Sequence, residues 1–150
     1  MTAVRTPFAG PVVALAEVPD PVFAGQLVGA GVAVDPSSSD VAVTAVAPVD
    51  GVIVKLHPHA FALQGAAGTD LLVHVGIDTV KMAGEGFELL AAEGDTVAAG
   101  DPVVRFTPAT IIAAGYSPVC PVVVLGSAPD SVAQDAVGTT VANGDTLFRV

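Results

Sequence analysis

Glycine and proline punctuate this chain so closely that little room is left for helix. The 150 residues include 16 glycines and 12 prolines, and short Val- and Ala-rich segments fill the gaps between them. Proline removes a backbone donor and fixes φ, while glycine weakens the interior of any regular element. Short apolar segments with turn residues at short intervals are the pattern of an all-β sandwich or barrel. The expected architecture is therefore one domain over 1–150, an antiparallel β-sandwich or barrel with one or two short helices. Pro108 to Ala114 is expected to be helical, with proline in the first turn and Gly115 as a stop. Ser131 to Val137 is a second candidate, with Ser131 as cap and Gly138 as terminator. Pro36-Ser37-Ser38-Ser39-Asp40 reads as a surface loop.

Two internal echoes suggest a sheet built of similar hairpins. Pro7-Phe8-Ala9-Gly10-Pro11-Val12-Val13 resembles Pro48-Val49-Asp50-Gly51-Val52-Ile53-Val54. Thr96-Val97-Ala98-Ala99-Gly100-Asp101 resembles Thr140-Val141-Ala142-Asn143-Gly144-Asp145, and each of these reads as a glycine turn before a strand.

The hydrophobic fraction is 52%, yet no run approaches the roughly 18–20 apolar residues of a membrane span. Met1 to Phe8 lacks a basic segment followed by an apolar one, so no secretory signal is visible. Cys120 stands alone, which rules out an intrachain disulfide and suits a reducing, cytoplasmic compartment. The formal charge of −10 argues against nucleic acid, whose phosphates need a basic surface, and favours basic protein partners.

The chemistry concentrates in histidine. Three are present, and His59 and His74 each lie in an alternating apolar segment. Leu71, Val73 and Val75 should share one face, with Leu72 and His74 on the other. If Gly65-Ala66-Ala67-Gly68 is a four-residue hairpin loop, Gln64 pairs with Thr69 and His59 falls directly opposite His74. Opposed residues have Cβ atoms roughly 4.5–5.5 Å apart, so two imidazoles would stand side by side. A neutral imidazole can accept a metal, a proton or a phosphoryl group.

Three chemistries compete for that pair. His57, His59 and His74 could form a three-histidine zinc site of a hydrolase. A zinc ion could also bridge His59 and His74 alone, with further ligands from a partner or solvent. Glu93-Gly94-Asp95-Thr96-Val97 and Val80-Lys81-Met82 resemble segments of biotin- or lipoyl-carrying domains, which would make Lys81 the modified residue. In the third, one histidine carries a phosphoryl group and the other stabilises it.

An ordered set of segments favours the third. Val18-Pro19-Asp20-Pro21-Val22-Phe23, Val28-Gly29-Ala30-Gly31-Val32-Ala33-Val34, Ala47-Pro48-Val49-Asp50-Gly51, His59-Ala60-Phe61, Val73-His74-Val75-Gly76-Ile77-Asp78-Thr79-Val80 and Gly84-Glu85-Gly86-Phe87 follow one another between residues 18 and 87. Together they resemble the glucose-family enzyme IIA component of the bacterial phosphoenolpyruvate-dependent sugar phosphotransferase system. The resemblance implies that His74 is phosphorylated by the phosphocarrier protein HPr. The group would then pass to a cysteine of the EIIB domain of a membrane sugar permease, bringing this protein transiently to the inner face of the membrane as a free-standing subunit. It implies that His59 donates a hydrogen bond to the phosphoryl group and that the Gly76 carbonyl holds the His74 ring. Asp20 and Asp78 would rim the site and meet arginines of the donor. Val22, Phe23 and Val80 would form an apolar collar for partners, including regulatory proteins, and no cofactor is required. Two departures stand out: the segment from Gly51 to His59 is about two residues shorter than usual, and His57 stands where the family often has threonine.

Overall fold

Val-rich segments separated by turns pair into sheets, some with the next segment and more with distant ones, and among the described residues every pairing is antiparallel. A computed structural model describes residues 2–36 and 40–150. Among them, the strands in chain order are β1 (Ala3–Arg5), β2 (Gly10–Ala14), β3 (Gly29–Val34), β4 (Val43–Val46), β5 (Gly51–His57), β6 (Ala60–Gly65), β7 (Asp70–His74), β8 (Phe87–Leu89), β9 (Thr96–Val97), β10 (Pro102–Phe106), β11 (Cys120–Leu125), β12 (Thr140–Val141) and β13 (Thr146–Arg149). Two short helices interrupt them, α1 (Pro21–Ala24) and α2 (Pro108–Ala113), with single 3-10 turns at Leu15–Glu17 and Thr79–Met82. The main sheet has eight strands in the order β12-β2-β3-β11-β7-β6-β5-β9, covered by the three-stranded β4-β10-β8 and the pair β1-β13. The all-β, antiparallel expectation holds.

The order of the main sheet is palindromic, and this gives the sequence echoes their physical meaning. β2, β3, β11 and β12 correspond to β5, β6, β7 and β9. Val12 N donates to Thr139 O at 2.8 Å and Gly138 N to Val12 O at 3.0 Å; Ile53 N donates to Asp95 O at 2.9 Å and Gly94 N to Ile53 O at 2.8 Å. The two halves also exchange bonds, Arg5 N to Pro48 O at 2.9 Å and Val46 N to Pro7 O at 3.0 Å. Asp101 and Asp145 close equivalent turns, each carboxylate accepting from the alanine three residues earlier, at 2.9 Å and 2.8 Å. Such side chain-to-backbone bonds fix a turn locally. Following the register pairs Val12–Val34–Cys120 and Ile53–Leu63–Leu71 sets Val123 against His74. The β2-β3-β11-β12 half thus carries an apolar residue where the β5-β6-β7-β9 half carries its histidine.

Apolar side chains leave both faces of the main sheet. Val32, Val34, Phe61, Leu63, Leu71, Val73 and Val122 point into the larger core, all at most 1% exposed. A smaller cluster of Leu15, Val18, Phe23, Ala33, Ile77, Val119 and Val123 lies on the opposite face, covered by the segment 15–28. Every residue of β3 is consequently buried. Cys120 is fully buried; its Sγ donates to Pro118 O at 3.3 Å, and burial pushes the thiol up to about 12. It is a structural thiol with no nucleophilic character at neutral pH.

The helix expected at Pro108–Ala114 is α2, ending one residue earlier with Gly115 in the left-handed region. The second expected helix does not form. Ser131 Oγ bonds back to Ala128 O at 2.6 Å instead of capping forward, and the Gln134 side chain donates to Gly31 O and Val132 O. Val132 is buried and Ala136 and Val137 pack partly against the core, but with Ser131 and Gln134 bonded elsewhere the segment's first turn is left uncapped. A helix does form at α1, where Asp20 Oδ1 accepts from Val22 N at 2.8 Å and Pro21 fills the first helical position. Of the expected loop at 36–40, Ser37 to Ser39 lie outside the described residues.

Candidate active site

β6 and β7 meet through a loop shorter by one residue than the sequence suggested. Gly65 N donates to Thr69 O at 2.9 Å, leaving Ala66-Ala67-Gly68 as a three-residue loop. Gly68 has φ +91°, the left-handed conformation that closes such loops. Gln64 therefore pairs with Asp70, and Ala60, not His59, pairs with His74. His59 lies outside β6, in the two-residue turn Pro58-His59 that follows β5. Its carbonyl accepts from Val75 N at 2.7 Å, anchoring that turn against the end of β7. A turn residue is not bound by the alternation of a strand, so its side chain still reaches His74. The two rings stand 5.5 Å apart between centroids, inclined at 60°. The pair is formed, but by the turn and not by the expected register.

His74 is the last residue of β7 and is half-buried. Its Nδ1 donates to the carbonyl of Gly76, two residues on. A carbonyl can only accept, so Nδ1 carries the proton and Nε2 keeps its lone pair. The loop that aims this carbonyl is fixed from several sides. Thr79 Oγ1, itself buried, donates to Val75 O at 2.6 Å, and Ile77 N donates to Ser117 O at 2.9 Å. Gly76 has φ +76°, and a Cβ there would lie 2.6 Å from Thr79 Cγ2 and 3.1 Å from Ser117 O. Gly76→Ala is expected to cost about 1–2 kcal/mol in backbone strain alone, and to turn the carbonyl away from the ring. A lower melting temperature together with slower modification of His74 checks this; wild-type values for both would contradict it.

Burial holds His74 below the ordinary imidazole value of 6.5, against the opposing pull of the Gly76 carbonyl and the Asp20 and Asp78 carboxylates. His59 is also held low, by burial first, then by the charges of His74 and His57. Both rings are therefore neutral at neutral pH. The unfolded chain takes up these protons as pH falls through 6.5, whereas the folded chain takes them up only at lower pH. Stability thus declines below pH 6.5 and levels off beneath the folded values. The ring protons of His74, followed by NMR, are expected to titrate with a midpoint below 6.5; a midpoint at or above it would contradict this.

The other expected site residues surround this pair unevenly. Phe23 is only 7% exposed and packs edge-on against His74, with centroids 5.3 Å apart. It is a wall of the site more than a surface for partners. Val22 and Val80 are 42% and 56% exposed. Asp20 is committed to capping α1, yet its charge bears on His74. Asp78, at φ +60°, precedes the 3-10 turn that carries Val80 and Lys81. His57, the last residue of β5, stacks on His59 with centroids 5.3 Å apart and planes within 16°.

A three-histidine zinc centre is not formed. Among the described residues no group of three or more His, Cys, Asp or Glu side chains is placed to hold a metal ion. Stacked rings such as His57 and His59 do not converge on one point, and the Nδ1 of His74 is already engaged. Sequence reasoning overlooked Thr79, Ser117 and Glu93. The Oε1 of Glu93 accepts from Leu56 N at 3.0 Å, just before His57. Asp20-Pro21 was a legible helix start; nothing local marked Ser117 or Glu93 as supports.

Residues 2–129 match the family described as phosphoenolpyruvate-dependent sugar phosphotransferase system, EIIA 1. Relatives include the PTS system glucose-specific EIIA component of Bacillus anthracis, 42% identical over 93% of this chain and 84% of that protein. The PTS system glucose-specific EIIBCA component of Corynebacterium glutamicum is 39% identical over 100% of this chain and 22% of its own length. Among solved structures, glucose permease IIA from Mycoplasma capricolum superposes with a TM-score of 0.82 at 31% identity, covering 98% of this chain and 94% of that one. A family match across most of the sequence, with relatives of this identity and coverage, establishes that the chain belongs to the EIIA 1 family of the phosphoenolpyruvate-dependent sugar phosphotransferase system.

Proposed function

We propose that Nε2 of His74 accepts a phosphoryl group from the phosphohistidine of HPr and passes it to a cysteine of an EIIB domain, coupling sugar uptake to sugar phosphorylation. The observation that carries this reading is the hydrogen bond from His74 Nδ1 to the Gly76 carbonyl, which leaves Nε2 as the basic, nucleophilic nitrogen of a half-buried ring. The Nε2 lone pair forms the new P–N bond as the P–N bond of the donor breaks. In the second step an EIIB thiolate forms a P–S bond, and the electron pair of the His74 P–N bond returns to Nε2. No proton need be lost or gained at His74, since Nδ1 keeps its own throughout. Phosphoryl transfer of this kind relies on positioning and charge stabilisation. His59, its ring 5.5 Å from that of His74 between centroids, would donate to the phosphoryl oxygens.

Exposed Val22 and Val80, rimmed by Asp20 and Asp78, offer both partners an apolar, acidic docking surface. The excess of acidic residues favours a basic partner face. The name EIIBCA of the Corynebacterium relative supports an EIIB domain as acceptor, and transfer to it would bring this protein to the cytoplasmic face of the membrane. The names of the relatives make glucose the first sugar to test. The decisive experiment is intact-mass measurement after incubation with phosphoenolpyruvate, enzyme I and HPr, with peptide mapping. One phosphoryl group on His74 is expected; none, or one elsewhere, would overturn the proposal. His59 and the Nε2 of His74 could also hold zinc together, given two more ligands from a partner or solvent. Calorimetry that finds no zinc binding, alone or with EIIB, would remove that addition.

A further inference from the structure

His57 is exposed at the end of β5, yet its ring lies flat against His59. A centroid separation of 5.3 Å with planes within 16° is an offset stack. The backbone builds this contact deliberately. Glu93 ties the Leu56 amide, a bulge between Ile53 and Lys55 re-aims the strand, and Pro58 sets the turn. Pro58 is in turn backed by the loop at Gly84, 3.5 Å from where a Cβ on that glycine would lie. His57, His59 and His74 thus form a row of three rings, with 5.3 Å and 5.5 Å between successive centroids. His59 occupies a surface turn and is only half-buried, so its own burial does not lock its ring.

We propose that His57 is a positioning residue for phosphoryl transfer: its ring, stacked on His59, holds the His59 imidazole at the angle from which it serves a phosphoryl group on His74. This rests on the proposed function and extends it. The contribution comes from a flat ring surface, not from a proton or a metal bond. Because His57 is exposed, its removal leaves the core untouched. A stack of this kind is worth about three- to tenfold in a rate that depends on ring orientation.

The test compares the wild type with His57→Ala and His57→Phe in single-turnover transfer from the phosphorylated chain to an EIIB domain. His57→Ala is expected to slow the maximal rate about three- to tenfold, with the EIIB concentration for half-maximal rate unchanged. His57→Phe should restore the rate, since phenylalanine keeps the flat surface and nothing else. Equal rates for all three proteins, or equal losses in both variants, would overturn the role of His57 while leaving the proposed function standing. A wild type that takes no label from phosphorylated HPr would sink the proposed function instead. In that event, carbon-13 relaxation of the His59 ring in the unmodified protein still decides the positioning role. Greater ring mobility in His57→Ala than in wild type and His57→Phe supports it, and equal mobility refutes it.

Discussion

Replacing His74 with glutamine is expected to reduce labelling by phosphoenolpyruvate, enzyme I and HPr to background. Glutamine approximates the reach of the imidazole, and its amide can still donate to the Gly76 carbonyl. It has no basic nitrogen, however, and so nothing that can attack phosphorus. The other side of the site is unaffected, because Phe23 and the Thr79–Val75 bond do not depend on the ring nitrogens. The thermal cost of such a half-buried substitution is about 1 kcal/mol, too little to unfold the protein. Loss of label with a retained fold, read by mass and by circular dichroism, is the predicted result. Full labelling of the variant would mean that another residue carries the group.

The second large effect falls on one step more than the other. His59→Gln should still accept phosphate but pass it to EIIB about a hundredfold more slowly. Acceptance brings a neutral imidazole to the phosphorus, whereas release brings an anionic thiolate toward an anionic phosphoryl group. A cationic neighbour matters most where two anions meet. The free His59 ring is held neutral by burial and by the neighbouring histidines, but a phosphoryl dianion on His74 favours its protonation. At about 5 Å and an effective dielectric of about 20, one such charge is worth about 3 kcal/mol, or roughly two powers of ten. Glutamine is uncharged at every pH and cannot supply it. Rapid-quench measurement of both half-reactions checks the asymmetry; equal slowing of both steps would contradict it.

The sequence made the sheet legible because turn residues and apolar alternation act locally. Leu71, Val73 and Val75 turned out to face the core, leaving His74 on the opposite side of β7. The register was not legible in the same way. Whether Gly65 to Gly68 closes as a loop of three residues or four depends on Gly68 adopting a left-handed conformation, and a glycine permits either. One residue of slip then moved His59 out of the strand. Proximity survived only because Pro58 makes a tight turn whose side chains do not alternate. The false helix at 131–137 had a plausible terminator, but its cap candidate Ser131 bonds back to Ala128, whereas Asp20 accepts from the first amides of α1. The repeats Thr96–Asp101 and Thr140–Asp145 were visible as echoes, but only their hydrogen-bond partners reveal a sheet folded from two matching halves. The supports of Gly76 come from Thr79 and Ser117, and that of β5 from Glu93. Contacts across 37 and 40 residues are beyond any local pattern.

The chemistry rests on a single nitrogen, and nitrogen-15 NMR reads it directly. Long-range correlation spectra of the free protein at neutral pH should show His74 with a protonated Nδ1 and a bare Nε2. After labelling, coupling to phosphorus should appear on that same Nε2. A free protein with its proton on Nε2, or a phosphorus coupling at Nδ1 or at another histidine, would contradict the account.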